Sequence, residues 1–245
     1  MLIRSTFHSR IQYLSRNTMR TGVDLAKVNA QISSGKQILK LSDEPWATSE
    51  LHQLRRGIQD QEQYEKAANR SISLLTTAEY ALTSAIELTD RARTRAIQLG
   101  SDTYSAEDRA AAAQEILFMK EQLLDIVNTD FNGRYIFSGQ AYNGEAFDST
   151  FTYAGSASTS EIDISENRSV EVGFAGDQVF QGTVDLFQSL DDFVTHLSAD
   201  DGDSIRDLID DFDTGINQLD LVRTKVGTNT KRSLDMLDLR QSLEM

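Results

Sequence analysis

The stretch Gln31–Leu54, QISSGKQILKLSDEPWATSELHQL, decides how the chain is divided. A helical pattern runs into it and stops at Ser33, Ser34 and Gly35. A longer one leaves it after Pro45, the only proline in the sequence. Glycine ends helices because it enters the left-handed region without a Cβ penalty. Proline fits the first turn of a helix, where its missing N–H is not needed. Ser42 and Asp43, just before it, are N-capping types. The stretch therefore reads as a joint: stop, short link, start. It sets residues 1–45, a lone helix and its joint, apart from the rest.

Upstream of the joint, Phe7, Ile11, Leu14, Thr18, Thr21, Leu25, Val28 and Ile32 alternate steps of four and three, which is a heptad seam. Arg10, Arg16, Arg20, Asp24 and Lys27 lie between them. The stripe is narrow, and such a helix is marginal alone in water. The pattern leaves two readings open: the seam packs on its own chain, or on neighbouring copies or a partner.

Downstream, Trp46–Leu99 reads as one helix of about 80 Å at ~1.5 Å per residue. Its seam passes Leu51, Leu54 and Ile58, then polar Gln61 and Glu65, then Ala68, Ile72, Leu75, Leu82 and Ile86. The polar interruption predicts a bend or a contact surface. Gly100 ends this helix, and Ser105 with Asp108 has the spacing of a capping box. A third helix follows through Ile116, Met119, Leu123, Ile126 and Val127, with Asn132-Gly133 expected to close it. Residues 134–184 then change texture. The runs RYIF (134–137), FTYA (151–154), EIDI (161–164) and SVEVGF (169–174) alternate as strands do, between glycine turns. Residues 185–245 return to helix. The pattern is still running at Met245 with no cap, so the sequence is expected to stop inside an element. The fold class expected is mainly α: a long antiparallel helical bundle or coiled coil, divided 1–45, 46–133, 134–184 and 185–245, with a small inserted β domain.

Composition narrows the function. The 245 residues contain no cysteine, which excludes disulfides and thiolate metal sites. One proline in the chain, against the usual roughly 5%, favours long helices. The net charge of −14 is uneven: residues 1–100 carry 14 Lys and Arg against 10 Asp and Glu, and residues 101–200 carry 4 against 18. An acidic middle repels phosphates, so no nucleic-acid partner is expected. No run of about 18 apolar residues is present, so no membrane insertion is expected. The first residues lack the apolar core of a cleavable signal peptide.

No catalytic constellation is visible. His8, His52 and His196 fall in three different elements, and none has a second ligand type at metal spacing on its own helix face. Gly35-Lys36 lacks the rest of a phosphate loop. The acidic run Asp207, Asp210, Asp211, Asp213 lacks the glycine-bearing calcium loop and reads as a solvated face. No cofactor and no enzymatic activity are expected.

Two segments carry a resemblance. Ile32-Ser33-Ser34-Gly35-Lys36 followed by Ser42-Asp43-Glu44-Pro45, and Asn132-Gly133-Arg134-Tyr135-Ile136-Phe137-Ser138-Gly139, resemble the bacterial flagellin-like family in its hook–filament junction (hook-associated protein 3) branch. Glu44 and Trp46 depart from the usual pattern. The resemblance implies a structural adaptor, exported without a cleaved signal to the extracellular flagellum. It also implies its partners: other copies in a ring or tube, the adjoining hook-associated protein, flagellin, and an export chaperone. It casts Phe7, Ile11, Leu14, Leu25, Val28 and Ile32 as an assembly seam, and it implies a C-terminal assembly helix as the seam's partner, expected to be missing from residues 185–245. The alternatives are a flagellin-type filament subunit and, from another class, a secreted enzyme or adhesin on a helical stalk.

Overall fold

The computed structural model describes residues 3–35, 45–141 and 143–244, with side chains from 7–35, 49–141 and 143–242. Two compact units divide at Asp60/Gln61, inside a helix and fifteen positions beyond the 45/46 boundary read from the sequence.

The first unit holds α1 (Ile3–Ser34) and the opening turns of α2 (Pro45–Leu99). Gly35 follows α1 at φ 64°, with open space where a Cβ would stand, so its role is conformational rather than steric. Pro45 is the first residue of α2, where a missing N–H does no harm. Ser42 and Asp43 lie outside the described residues.

The second unit is an antiparallel bundle of α2 from Gln61 on, α3 (Ala106–Val127), α5 (Leu186–Ser198) and α6 (Gly202–Glu244). The ion pairs give the direction of travel. Arg93 meets Asp213 and Arg240 meets Glu65, so α6 descends as α2 ascends, and Arg95 meets Glu115 on α3. Ala68, Ala78, Ala81, Ala85, Ala92 and Ala96 face inward on α2, letting helices approach, with Leu75, Leu82 and Leu88 filling the layers between. The polar interruption at Gln61 and Glu65 is a contact: the Arg240 guanidinium donates to the Gln61 carbonyl and the Glu65 carboxylate. Ser105 and Asp108 form the expected capping box on α3.

The segment between α3 and α5 differs in detail from its sequence reading. Asn132 (φ 54°) and Gly133 (φ 76°) do not close α3, which ends at Val127. They form the two-residue turn of a hairpin between β1 (Asp130–Phe131) and β2 (Arg134–Tyr135), and positive φ at both positions is what such a turn demands. FTYA is not a strand; only Tyr153 makes an isolated bridge, to Phe147. EIDI and most of SVEVGF are the antiparallel pair β3 (Ser160–Ser165) and β4 (Arg168–Gly173). Gly176–Phe180 is a short helix, α4, within the segment read as the β insertion. Aromatic rings bind this segment to the bundle. Phe147 and Phe151 lie 5.2 and 5.3 Å from Phe187 of α5, while Phe137, 5.0 Å from Phe180, closes the segment on itself. Its buried side chains belong to the same hydrophobic cluster as the helices.

Candidate assembly surface

The seam residues of α1 stand in solvent. Phe7, Leu14, Leu25 and Ile32 are 62–75% exposed and Ile11 and Val28 are 47% exposed. Within the seam, Thr18 and Thr21 turn their hydroxyls back to the carbonyls of Leu14 and Asn17, at 3.0 and 2.9 Å. The bond satisfies the hydroxyl within the helix, so each threonine behaves as a small spacer rather than a polar break. Tyr13, Met19 and Val23 are also exposed, at 67–71%. The seam template missed them. At ~100° per residue Met19 and Val23 stand on the opposite side of the helix, and a plain hydropathy count would have flagged them. Arg10, Arg16 and Arg20 are exposed as well.

The opening turns of α2 also expose apolar side chains, with Leu54 at 62% and Ile58 at 60%. Exposed apolar side chains at this density are the kind of surface that marks an interaction site.

The second group of candidate residues is built differently. Asn132 and Gly133 make the hairpin turn, tied by the Gly133 amide donating to the Asp130 carboxylate at 2.8 Å. Arg134 donates to the Ser160 hydroxyl. Tyr135 is half-buried, and its carbonyl accepts from the Ser138 hydroxyl at 3.0 Å. Ile136, Phe137 and Ser138 are buried. The backbone of 136–139 then pairs with 174–176: Phe174 N–H donates to Ile136, Gly139 N–H to Phe174, and Gly176 N–H to Phe137. Gly139 has φ 63°, and a Cβ there would lie 2.1 Å from the Ser156 carbonyl oxygen. These residues form a clasp that folds the outer segment back on the bundle. They present little to a partner, whereas the α1 seam presents almost everything.

Among the described residues no group of three His, Asp or Glu could hold a metal ion, and no helix is long and apolar enough to cross a membrane.

Residues 9–142 match the family of the bacterial flagellin N-terminal helical region. The chain is 27% identical to flagellar hook-associated protein 3 of Escherichia coli (strain K12), over 93% of this chain and 81% of that protein. It is 30% identical to flagellar hook-associated protein 3 of Salmonella typhimurium (strain LT2), over 63% of this chain and 49% of that protein, so it spans about half of that relative. The fold resembles the crystal structure of the flagellar junction protein FlgL from Legionella pneumophila, with a TM-score of 0.68 at 14% identity, covering 82% of this chain and 98% of the other. The family match spans α1, α2, α3 and the hairpin turn at Asn132-Gly133: the chain belongs to the bacterial flagellin family.

Proposed function

We propose that this chain is a structural subunit of the flagellum that joins hook to filament. It works by burying helical seams between subunits rather than by catalysis. The observation that carries the proposal is the solvent-exposed seam of α1. Each Leu or Ile buried along it contributes roughly 1.5–3 kcal/mol, part of which is offset by ordering and association. A ridge too narrow to hold one helix to its own chain becomes sufficient when repeated around a tube. Similarity to hook-associated protein 3 along 93% of the chain supports the adaptor over a filament subunit. The partners follow from that reading: other copies of the chain, the adjoining hook-associated protein on one side, flagellin on the other, and a chaperone during export. The place of action is extracellular.

Deleting the encoding gene in its host tests the proposal. Hooks without filaments, with flagellin released to the medium, are the expected outcome. Filaments that persist, or a medium empty of flagellin, would overturn the adaptor reading.

A further inference from the structure

Two oppositely charged patches lie far apart on α6. At one end, Asp207 and Asp210 are exposed and Asp211 is half-buried, facing Asp192 of α5, and none of the four has an ion-pair partner among the described residues. At the other end is a cavity of about 390 Å³ between β3–β4 and α6, lined by Ile164, Asn167, Arg168, Ser169, Val170 and Arg232. Neither guanidinium there has a carboxylate partner among the described residues. Lys225 nearby is already paired with Glu171, at 2.6 Å. Unpaired arginines stand out in a region where acids dominate: residues 101–245 hold 10 Lys and Arg against 28 Asp and Glu.

The helix fixes how the patches relate. Residues 207 and 225 differ by five whole turns at ~3.6 residues per turn, so the aspartates and Arg232 share one face of α6. Leu221, 73% exposed, lies on that face between them. From Asp211 to Arg232 is roughly 30 Å along the axis. The patches cannot meet within one rigid helix, but they can meet between two copies.

We propose that Arg168 and Arg232 form a carboxylate-binding site for the α6 aspartates of a second copy of this chain, pointing the same way and displaced by roughly 30 Å along the axis. The common direction rests on the junction reading, because subunits of a tube growing from one end share one polarity. The contact joins two different patches, so it leaves a free donor and a free acceptor at its ends and can propagate around a ring or along a helix. Bidentate arginine–carboxylate pairing supplies its specificity.

The chain has no cysteine, so Thr214→Cys, one turn from Asp210, with Asp235→Cys, one turn from Arg232, introduces the only thiols and leaves Asp207, Asp210, Arg168 and Arg232 in place. Their separation on one helix far exceeds disulfide reach within a chain. Oxidising the full chain at low ionic strength is expected to give a ladder of dimers, trimers and higher species. Dimers alone would mean a two-fold contact and would overturn the staggered one; monomers alone would overturn any contact. In sedimentation, Arg168→Glu with Arg232→Glu is expected to weaken association about tenfold or more, and adding Asp207→Arg with Asp210→Arg to restore it. Failure of that restoration sinks the proposal. If Leu25→Asp abolishes assembly while the charge variants leave it unchanged, this contact falls and the junction reading stands.

Discussion

Arg109 shows how much of this fold is held by single side chains reaching across the sequence. Its guanidinium is buried. Nε donates to the Leu99 carbonyl at 2.9 Å, Nη2 to the Ser101 carbonyl at 3.0 Å, and Nη1 to Asp200. It caps the C-terminal end of α2, where carbonyls have no helical partner, and ties that end to the α5–α6 link. Arg109→Met keeps the stem but orphans these acceptors, and is expected to lower unfolding free energy by about 3 kcal/mol in urea denaturation. Arg109→Lys should recover only part of this, since an ammonium cannot span the fork. Asn128 and Gln218 act likewise on the backbone of Phe147 and of residues 179–184. None of these roles is legible in the sequence. Periodicity reports local faces, whereas these bonds join residues 8 to 91 positions apart, across element boundaries. The glycines are more readable, and they divide by cause. Gly133→Ala meets only the left-handed penalty, about 1 kcal/mol, because nothing lies within 4 Å of its Cβ position. Gly139→Ala drives a methyl into a backbone carbonyl that cannot rotate away, and should cost several times more in the same assay.

At the scale of elements, the sequence was most informative where one pattern repeated. The stop at Gly35, the start at Pro45 and the cap at Ser105 follow from backbone chemistry that acts within a few residues. Strand expectations in 134–184 failed where aromatic packing overruled alternation: in FTYA, Phe151 takes φ 61° and lies under the ammonium of Lys120, 3.9 Å from its ring centroid. The Asn132-Gly133 pair reads as a helix end, although Asn-Gly is a strong hairpin signal, because the α3 pattern fades only a few residues earlier. Two expectations about elements follow. Leu25→Asp sits on an exposed face, so the unfolding free energy of residues 61–245 should change by no more than about 0.5 kcal/mol, while assembly is lost. Loss of the helical signal in that variant would place α1 in the internal core. Deleting residues 140–180 behaves differently. It removes Phe147, Phe151 and Phe180 and exposes Phe137 and Phe187. The remaining bundle should melt well below the parent in calorimetry; an unchanged midpoint would mean that the outer segment is energetically separate.

Charge governs how the whole molecule responds to acid. Three carboxylates close turns and have lowered pKa values: Asp108 through the Ser105 hydroxyl and amide, Asp148 through the Thr150 hydroxyl and the Thr152 amide, and Asp201 through the Ser204 hydroxyl and amide. A folded pKa below the unfolded one stabilises above the unfolded value, and that contribution is lost as pH falls through the folded one. Asp211 runs the other way. Burial raises its pKa first, and Asp192, Asp210 and Asp207 raise it further. Its stabilising contribution is therefore complete below the unfolded pKa and lost as pH rises through the folded value. On acidification from neutrality Asp211 takes up its proton before the three turn carboxylates do. The thermal midpoint is expected to rise slightly in mild acid and fall only as the turn carboxylates protonate. Asp211→Asn should raise the midpoint at neutral pH, and its advantage should vanish in mild acid, where the parent carries the proton itself. A parent whose midpoint falls steadily from neutrality, or an Asp211→Asn variant no more stable than the parent at neutral pH, would show that the aspartate crowding on α6 is relieved within the monomer. The acidic patch would then have nothing to gain from the arginines of a neighbour.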